Sequence, residues 1–270
     1  MEIIGEKING TRQRVGQAIA DRDANFIQDL ARRQAEAGST WLDVNAGTHP
    51  DQEPDDLVWL VDTVQTVVDT PLCLDSANPQ ALSAAIEIVN KTPMINSISG
   101  EPERLAGVLP LAAEHGCPVI ALAMDEKKIP KTSTARVDVI HKVLAATRAA
   151  GVPDGQVYVD PLVMTISTNI QNGLIFCDTI RAMHAAYPEV HFTAGLSNIS
   201  FGLPARSYIN RAFLTLALEA GLDCAILDPL DQELQATVLA AELVLGRDRH
   251  CLNYTRAYRA GVFNKPNGQG

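Results

Sequence analysis

The segment Gly195-Leu196-Ser197-Asn198-Ile199-Ser200-Phe201-Gly202 follows the apolar run Val190 to Ala194 and precedes a helical pattern opened by Pro204, with Tyr208, Ile209, Phe213, Leu214 and Leu218. A strand that breaks into Ser, Asn and Gly before a helix places short hydrogen-bonding side chains and backbone N–H groups at its carboxyl end, where α/β enzymes bind ligands. Ser197 and Asn198 could equally do no more than close the turn and start the helix. Other strand-like runs also end in polar residues: Glu6 and Asn9, Asp43 and Asn45, Asp75, Asn96, Asp125, Asp160 and Asp228. Carboxylates can accept two N–H donors side by side and amides read mixed edges, so this set suits a planar neutral heterocycle better than a phosphate. Asp43 and Asn45, two apart, share a strand face if the strand persists that far. Each residue also has a structural reading. Asp75 with Ser76 and Asn78 could cap a helix beginning near Pro79, Asp160 and Asp228 could form turns before proline, and Asn96 could tie down a neighbouring loop.

These tips are positioned by a recurring unit: an apolar run of strand length, a polar end, then an amphipathic segment. The runs are Ile3 to Ile8, Trp41 to Gly47, Leu72 to Asp75, Met94 to Ile98, Val119 to Met124, Val157 to Val159, Val190 to Ala194 and Cys224 to Leu227. Helices are predicted between them, including Pro102 to His115, Asn172 to Tyr187 and a last helix from Gln232 to Leu245. Glu126 to Thr134 is the longest loop-like insertion. Eight units and a length of 270 residues predict an α/β fold of the (β/α)8 barrel type, usually about 250 residues. One domain spans 1–263 and Asn264 to Gly270 is a loose tail. A doubly wound open sheet is the competitor, because periodicity does not report closure.

Composition narrows the function. A formal charge of −10 disfavours nucleic acid and anionic membrane surfaces as partners. The start lacks the features of a signal peptide and no apolar run approaches the roughly 18 residues of a spanning helix, which predicts a cytoplasmic protein. The cysteines, Cys73, Cys117, Cys177, Cys224 and Cys251, contain no CxxC pair and read as buried reduced thiols. His49, His115, His141, His184, His191 and His250 make no close pair with a carboxylate at metal-ligand spacing, so no metal site is expected. GxSxG and GxGxxG are absent. Lys7 alone could loosely serve Schiff-base chemistry, but its neighbour Glu6 points to the opposite strand face, so a structural ion pair elsewhere is the expected use of Lys7.

Gly5-Glu6-Lys7-Ile8-Asn9-Gly10-Thr11-Arg12, Leu42-Asp43-Val44-Asn45-Ala46-Gly47, Asp75-Ser76, Asn96-Ser97-Ile98-Ser99-Gly100, Asp160-Pro161-Leu162 and Gly195 to Gly202 together resemble the pterin-binding methyltransferases. Within these the chain is similar to the methyltetrahydrofolate:corrinoid protein methyltransferases and to the folate domain of cobalamin-dependent methionine synthase, in order over nearly its whole length. The resemblance implies a barrel that holds tetrahydrofolate or methyltetrahydrofolate over its rim and moves a methyl group between pterin nitrogen 5 and a corrinoid such as methylcobalamin. It implies that Asp75, Asn96 and Asp160 hold the pterin edge, that Asn198 reaches nitrogen 5, and that Gly195, Ser197 and Arg206 line the pocket. Glu6, Asn9, Asp43, Asn45, Asp125 and Asp228 are possible supporting members of the rim. The Asp-x-His-x-x-Gly motif of cobalamin domains is missing, so the corrinoid is expected on a partner protein. Relatives are homodimers, which implies one here. The direction of transfer and the methyl source, whether methylamines, betaines or aryl ethers, stay open. So does a non-catalytic pterin-binding scaffold. Dihydropteroate synthase fits less well: its Ser-Thr-Arg loop after the second strand is replaced by Asn45-Ala46-Gly47-Thr48-His49-Pro50, and its lysine near the end of the seventh strand by Ser197-Asn198.

Overall fold

The computed structural model describes residues 1–126 and 128–263. Strands β1 (Glu2–Asn9), β2 (Trp41–Asn45), β3 (Leu72–Asp75), β4 (Met94–Ser99), β5 (Val119–Leu122), β6 (Val157–Asp160), β7 (His191–Phe192) and β8 (Cys224–Leu227) form one parallel sheet in the order β7-β6-β5-β4-β3-β2-β1-β8. The ends meet: Gly195 bridges Ile226 in parallel, and the Ile226 N–H donates to the Ala194 carbonyl at 2.8 Å. The sheet therefore closes into the expected barrel rather than an open sheet.

Its outer layer consists of α1 (Gln13–Ala20), α2 (Ala24–Glu36), α3 (Glu53–Gln65), α4 (Pro79–Ile86), α5 (Pro102–Gly107), α6 (Leu109–His115), α7 (Ser133–Ala149), α8 (Asn172–Ala186), α9 (Arg206–Ala220), α10 (Gln232–Val244) and α11 (Leu252–Arg259). Helices against strands make the larger core, to which Ile3, Leu42, Val44, Leu74 and Ile95 contribute from the sheet. The inward-facing alternates Ile4, Cys73, Met94, Ile120, Tyr158 and Cys224 pack into a second core inside the barrel. This two-residue period decides what reaches the rim. The next inward positions above the interior core are Glu6, Asp75, Asn96, Leu122 and Asp160, joined on β2 by Asp43 and Asn45.

Several boundaries differ from the sequence reading. The run Val190 to Ala194 yields a strand of two residues, because beyond Phe192 the chain keeps single bonds to its neighbours, Thr193 N–H to Val159 and Ile226 N–H to Ala194. The fifth strand stops at Leu122 rather than Met124. The expected helix from Pro102 to His115 divides at Val108 into α5 and α6, where Pro110 sits in the first turn of α6 and offers no N–H for a continuous helix. α1 and α11 are not among the expected helices, and α11, which buries no residue, displaces α10 as the last helix. The helix after Asn198 starts at Arg206, two residues beyond Pro204, and a short 3-10 turn occupies Leu196–Ser200. Cys251 is exposed, whereas the other four cysteines are buried. Among the described residues no helix is long and apolar enough to cross a membrane. The expected tail, Asn264 to Gly270, and Lys127 of the expected insertion lie outside the described residues.

The amino end of the barrel is held by polar contacts. Glu2 accepts from Trp41 Nε1 at 3.0 Å and from the Tyr158 hydroxyl at 3.2 Å. His191 stacks on Tyr158 with ring centroids 4.6 Å apart, and its Nδ1 lies 2.7 Å from Asp223, whose other oxygen accepts from the Phe192 N–H. The hydrogen bond to Asp223 raises the His191 pKa above its ordinary 6.5 against the opposing effect of burial. A raised histidine pKa stabilises the fold fully below the unfolded value and loses that contribution as pH rises through the folded one. Both side chains are partly exposed, so the effect is below about 1 kcal/mol. Thermal melts of His191→Gln against the wild type should therefore show a deficit at pH 6 that shrinks by pH 8. A deficit independent of pH would assign His191 to packing alone.

Candidate active site at the carboxyl rim

β2, β3 and β4 bring Asp43, Asn45, Asp75 and Asn96 together. Register pairing sets Asp75 beside Asn96 and Asp43 beside Cys73. Asn45 donates to Asp75 at 2.8 Å, and Asn96 donates to Asp43 at 3.3 Å. With its nitrogen so engaged, Asn96 turns its carbonyl end to any ligand N–H. A register shift between Asn96 and Ile98 bends β4 at this point, as bulges do near barrel rims. Asp75 takes no part in capping α4, a role that Asn78 fills by accepting from the Gln80 N–H, while Ser76 donates to Glu53.

Asp160 ends β6 and is 7 % exposed. Its Oδ1 accepts from the Leu162 N–H at 2.7 Å, and the Gly195 N–H also bonds its carboxylate. The turn-forming role and the inward-facing role thus coexist in one residue. Asp43, Asp75 and Asp160 join none of the ion pairs among the described residues. Burial accordingly pushes all three upward: Asp160 to about 6 against the N–H groups of Leu162 and Gly195 and the charge of Arg136, Asp43 well above the usual range with Asp75 adding to it, and Asp75 against the Asn45 bond.

The outer rim is different. Lys7 pairs with Asp228 at 2.6 Å, and Asp228 also accepts from the Leu230 N–H. Arg12 pairs with Glu6 at 2.9 Å, where burial nevertheless raises the Glu6 pKa. Asn9 closes its own turn by accepting from the Thr11 N–H and hydroxyl. The backbone of Asp125 forms an antiparallel β-bridge with that of Lys128 in the β5–α7 loop. The rim is therefore less poor in cations than its strand tips indicate, but Lys7 and Arg12 are spent on Asp228 and Glu6. Close contact also shapes it: a Cβ on Gly10 would lie 1.7 Å from the Ala46 carbonyl oxygen, so glycine alone lets the β1 and β2 loops meet.

The β7–α9 loop supplies Asn198. Its side chain is exposed and makes no hydrogen bond among the described residues, and the α9 cap position is Ala205, so Asn198 does not cap that helix. Gly195 lets the amide lie close, since a Cβ there would stand 3.2 Å from Asn198 Nδ2. Arg206 pins the loop from behind, donating to Ser200 Oγ at 2.9 Å and to the Ser197 carbonyl at 2.6 Å. Arg206 and Ser197 thus meet through the Ser197 backbone, and Arg206 braces the loop.

Two further features escaped the sequence reading. Residues 161–171 form a second long rim loop, in which Thr165 and Ser167 both donate to the Phe201 carbonyl. Arg136 on α7 is buried at 1 % exposure and donates to the carbonyls of Pro130 and Leu162. A signal existed for it: Arg136 falls in register with Val139, Ile140, Val143 and Leu144, the buried face of α7. Among the described residues no cluster of three or more His, Cys, Asp or Glu could hold a metal ion.

The model of the pterin binding enzyme family matches residues 5–228. Over 263 residues, 97% of each chain, this one is 40% identical to a methylcorrinoid:tetrahydrofolate methyltransferase of Eubacterium limosum. It is 32% identical over 237 residues to methionine synthase of Mycobacterium tuberculosis, a match covering 83% of this chain and spanning 20% of that larger protein. Among solved structures, a Yersinia pestis dihydropteroate synthase bound to a pterine-sulfa conjugate superposes with a TM-score of 0.68, covering 91% of this chain and 93% of that one. At 19% identity that likeness concerns the fold.

The raised Asp160 pKa has a measurable sign. A carboxylate whose native pKa exceeds its unfolded value of 3.8 binds its proton more tightly in the native state, so its burial cost is full above about pH 6 and is relieved as pH falls. Thermal melts without ligand should show the wild type gaining on Asp160→Asn between pH 7 and pH 5, by about 1 kcal/mol. Parallel curves would place Asp160 in a solvated environment.

Proposed function

We propose, from the premise that this chain belongs to the pterin-binding enzyme family, that it is a methyltransferase moving a methyl group between a methylated corrinoid and nitrogen 5 of tetrahydrofolate. Residues 1–263 act as one pterin-binding barrel in the cytoplasm, where its unpaired thiols stay reduced, and the corrinoid comes on a separate protein. The methyl group reaches the folate pool from a donor such as a methylamine, betaine or aryl ether. The observation that carries the reading is Asn198: an amide without a hydrogen-bond partner among the described residues, exposed on the rim beside the strand that bears Asp160.

The pterin is bound by acceptors. Its N–H edge meets the carboxylate of Asp160, with Asp75 and the Asn96 carbonyl beside it, while Asn45 and Asp43 hold these groups in orientation. Gly195 and Ser197 border the ring, and Glu6, Asn9, Asp125 and Asp228 support the surrounding loops. Nitrogen 5 is a poor leaving group unless a donor stabilises its developing lone pair; in the opposite direction it must present that pair to the incoming methyl. Asn198 serves both directions, because its amide offers a donor and an acceptor and can rotate between them without a change of protonation. Transfer is an in-line displacement at the methyl carbon, promoted mainly by positioning.

The chain also acts as a homodimer. Exposed Tyr208 and Leu216 on α9 and Val244 on α10 line an apolar surface. Two grooves of about 380 and 640 Å³ meet in it at Leu216. Such a surface suits a partner rather than water. Sedimentation velocity should give a dimer for the wild type and a folded monomer for Leu216→Glu; a monomeric wild type would contradict the assignment.

Mixing the purified chain with methylcobalamin and tetrahydrofolate and following the cobalamin spectrum tests the activity. Slow demethylation is expected with the free cofactor, since a docked partner supplies positioning that a dissolved one lacks. Asn198→Ala should lower kcat by about 10²-fold while weakening pterin binding much less. An unchanged spectrum with the wild type would favour a pterin-binding scaffold, and an Asn198→Ala variant with a normal single-turnover rate would remove Asn198 from the chemistry.

A further inference from the structure

Among the described residues Arg136 is the largest side chain that is almost completely buried, and it carries a charge. Removing a guanidinium from water is unfavourable unless its N–H groups are bonded and its charge is faced by another. Here Nε donates to the Pro130 carbonyl at 3.1 Å and Nη1 to the Leu162 carbonyl at 2.7 Å. The charged group whose field it shares is Asp160, although the two form no direct ion pair. Leu162 lies between them in an uncommon backbone state, with φ of 70°, which a branched side chain resists. Both polar groups of Leu162 are held: its N–H by Asp160 and its carbonyl by Arg136.

We propose that Arg136 is a positioning residue for Asp160, acting through Leu162. The guanidinium fixes the Leu162 carbonyl, the constrained Leu162 presents its N–H to Asp160 Oδ1, and the carboxylate is thereby aimed inward and kept ionised. The same side chain joins the β5–α7 loop at Pro130 to the β6–α8 loop at Leu162, so two rim loops are set by one buried cation from α7. The proposal rests on the reading that Asp160 binds the pterin. Facing Asp160 are Arg136 from α7 and the backbone N–H groups of Leu162 and Gly195 from the two neighbouring loops. Loss of Arg136 removes a positive charge, so Asp160 should protonate at higher pH.

The test is calorimetric titration of tetrahydrofolate from pH 5.5 to 8 into the wild type, Arg136→Met, Asp160→Asn and the double variant, with thermal melts of each. Arg136→Met should bind about 10-fold more weakly at neutral pH. Its acid limb should lie at higher pH, and in the Asp160→Asn background it should have no further effect. Should Arg136→Met fail to fold, Arg136→Lys keeps the charge but loses the planar fork; about 3-fold weaker binding is expected, again absent in the Asp160→Asn background. Wild-type affinity and an unmoved acid limb in the folded Arg136 variant, whatever its melting temperature, would reduce Arg136 to a structural tie. Effects that multiply in the double variant would also overturn the proposal. Wild-type affinity in Asp160→Asn alone would instead remove the pterin-binding role of Asp160 and the inference with it.

Discussion

A closed parallel barrel turns every second side chain of every strand into one narrow interior, and the rest of this structure depends on that constraint. At the level of Ile4, Cys73, Met94, Ile120, Tyr158 and Cys224 the interior is filled and mostly apolar. One inward step further along β3, β4 and β6 stand Asp75, Asn96 and Asp160, with Asp43 and Asn45 on β2. The interior core is thus the floor of the site, and the pleat alone places carboxylates and amides from distant parts of the chain around one opening.

The electrostatics follow from where cations are placed. Glu6 and Asp228 are paired with Arg12 and Lys7, whereas Asp43, Asp75 and Asp160 are bonded by amides, a thiol and backbone N–H groups. Buried carboxylates without ion pairs hold raised pKa values and unfilled acceptor capacity, and a ligand edge rich in N–H donors relieves both. Such a site disfavours phosphates and free carboxylates for the same reason. Arg136 moderates this at one point, close enough to favour ionised Asp160 yet bonded to carbonyls instead of to the carboxylate itself.

Much of this could be read from residue order. The eight apolar runs and their polar ends indicated the barrel and nearly all of the inward-facing rim, because strand period and tip chemistry are local properties. What escaped depends on contacts between distant segments. Closure rests on single bonds around Ala194 and Gly195, beyond the two-residue β7. The division of α5 from α6 had a local cause in Pro110 that helical periodicity obscured. Arg136 did stand on the buried face of its helix, but the carbonyls of Pro130 and Leu162 that it serves are defined only once two loops fold over it. The dual position of Asp160, in its own turn and facing inward, shows why turn chemistry and ligand chemistry could not be separated from spacing alone.

The central claim is that a buried, ionised Asp160 accepts the N–H edge of a pterin. Calorimetry of tetrahydrofolate binding near pH 6 in buffers of different ionisation enthalpy measures the protons exchanged on binding. Since burial pushes the Asp160 carboxyl up to about 6, the wild type should release a fraction of a proton beyond whatever Asp160→Asn releases, and that excess should fade by pH 8. Equal proton exchange in the two proteins across this range would contradict the account.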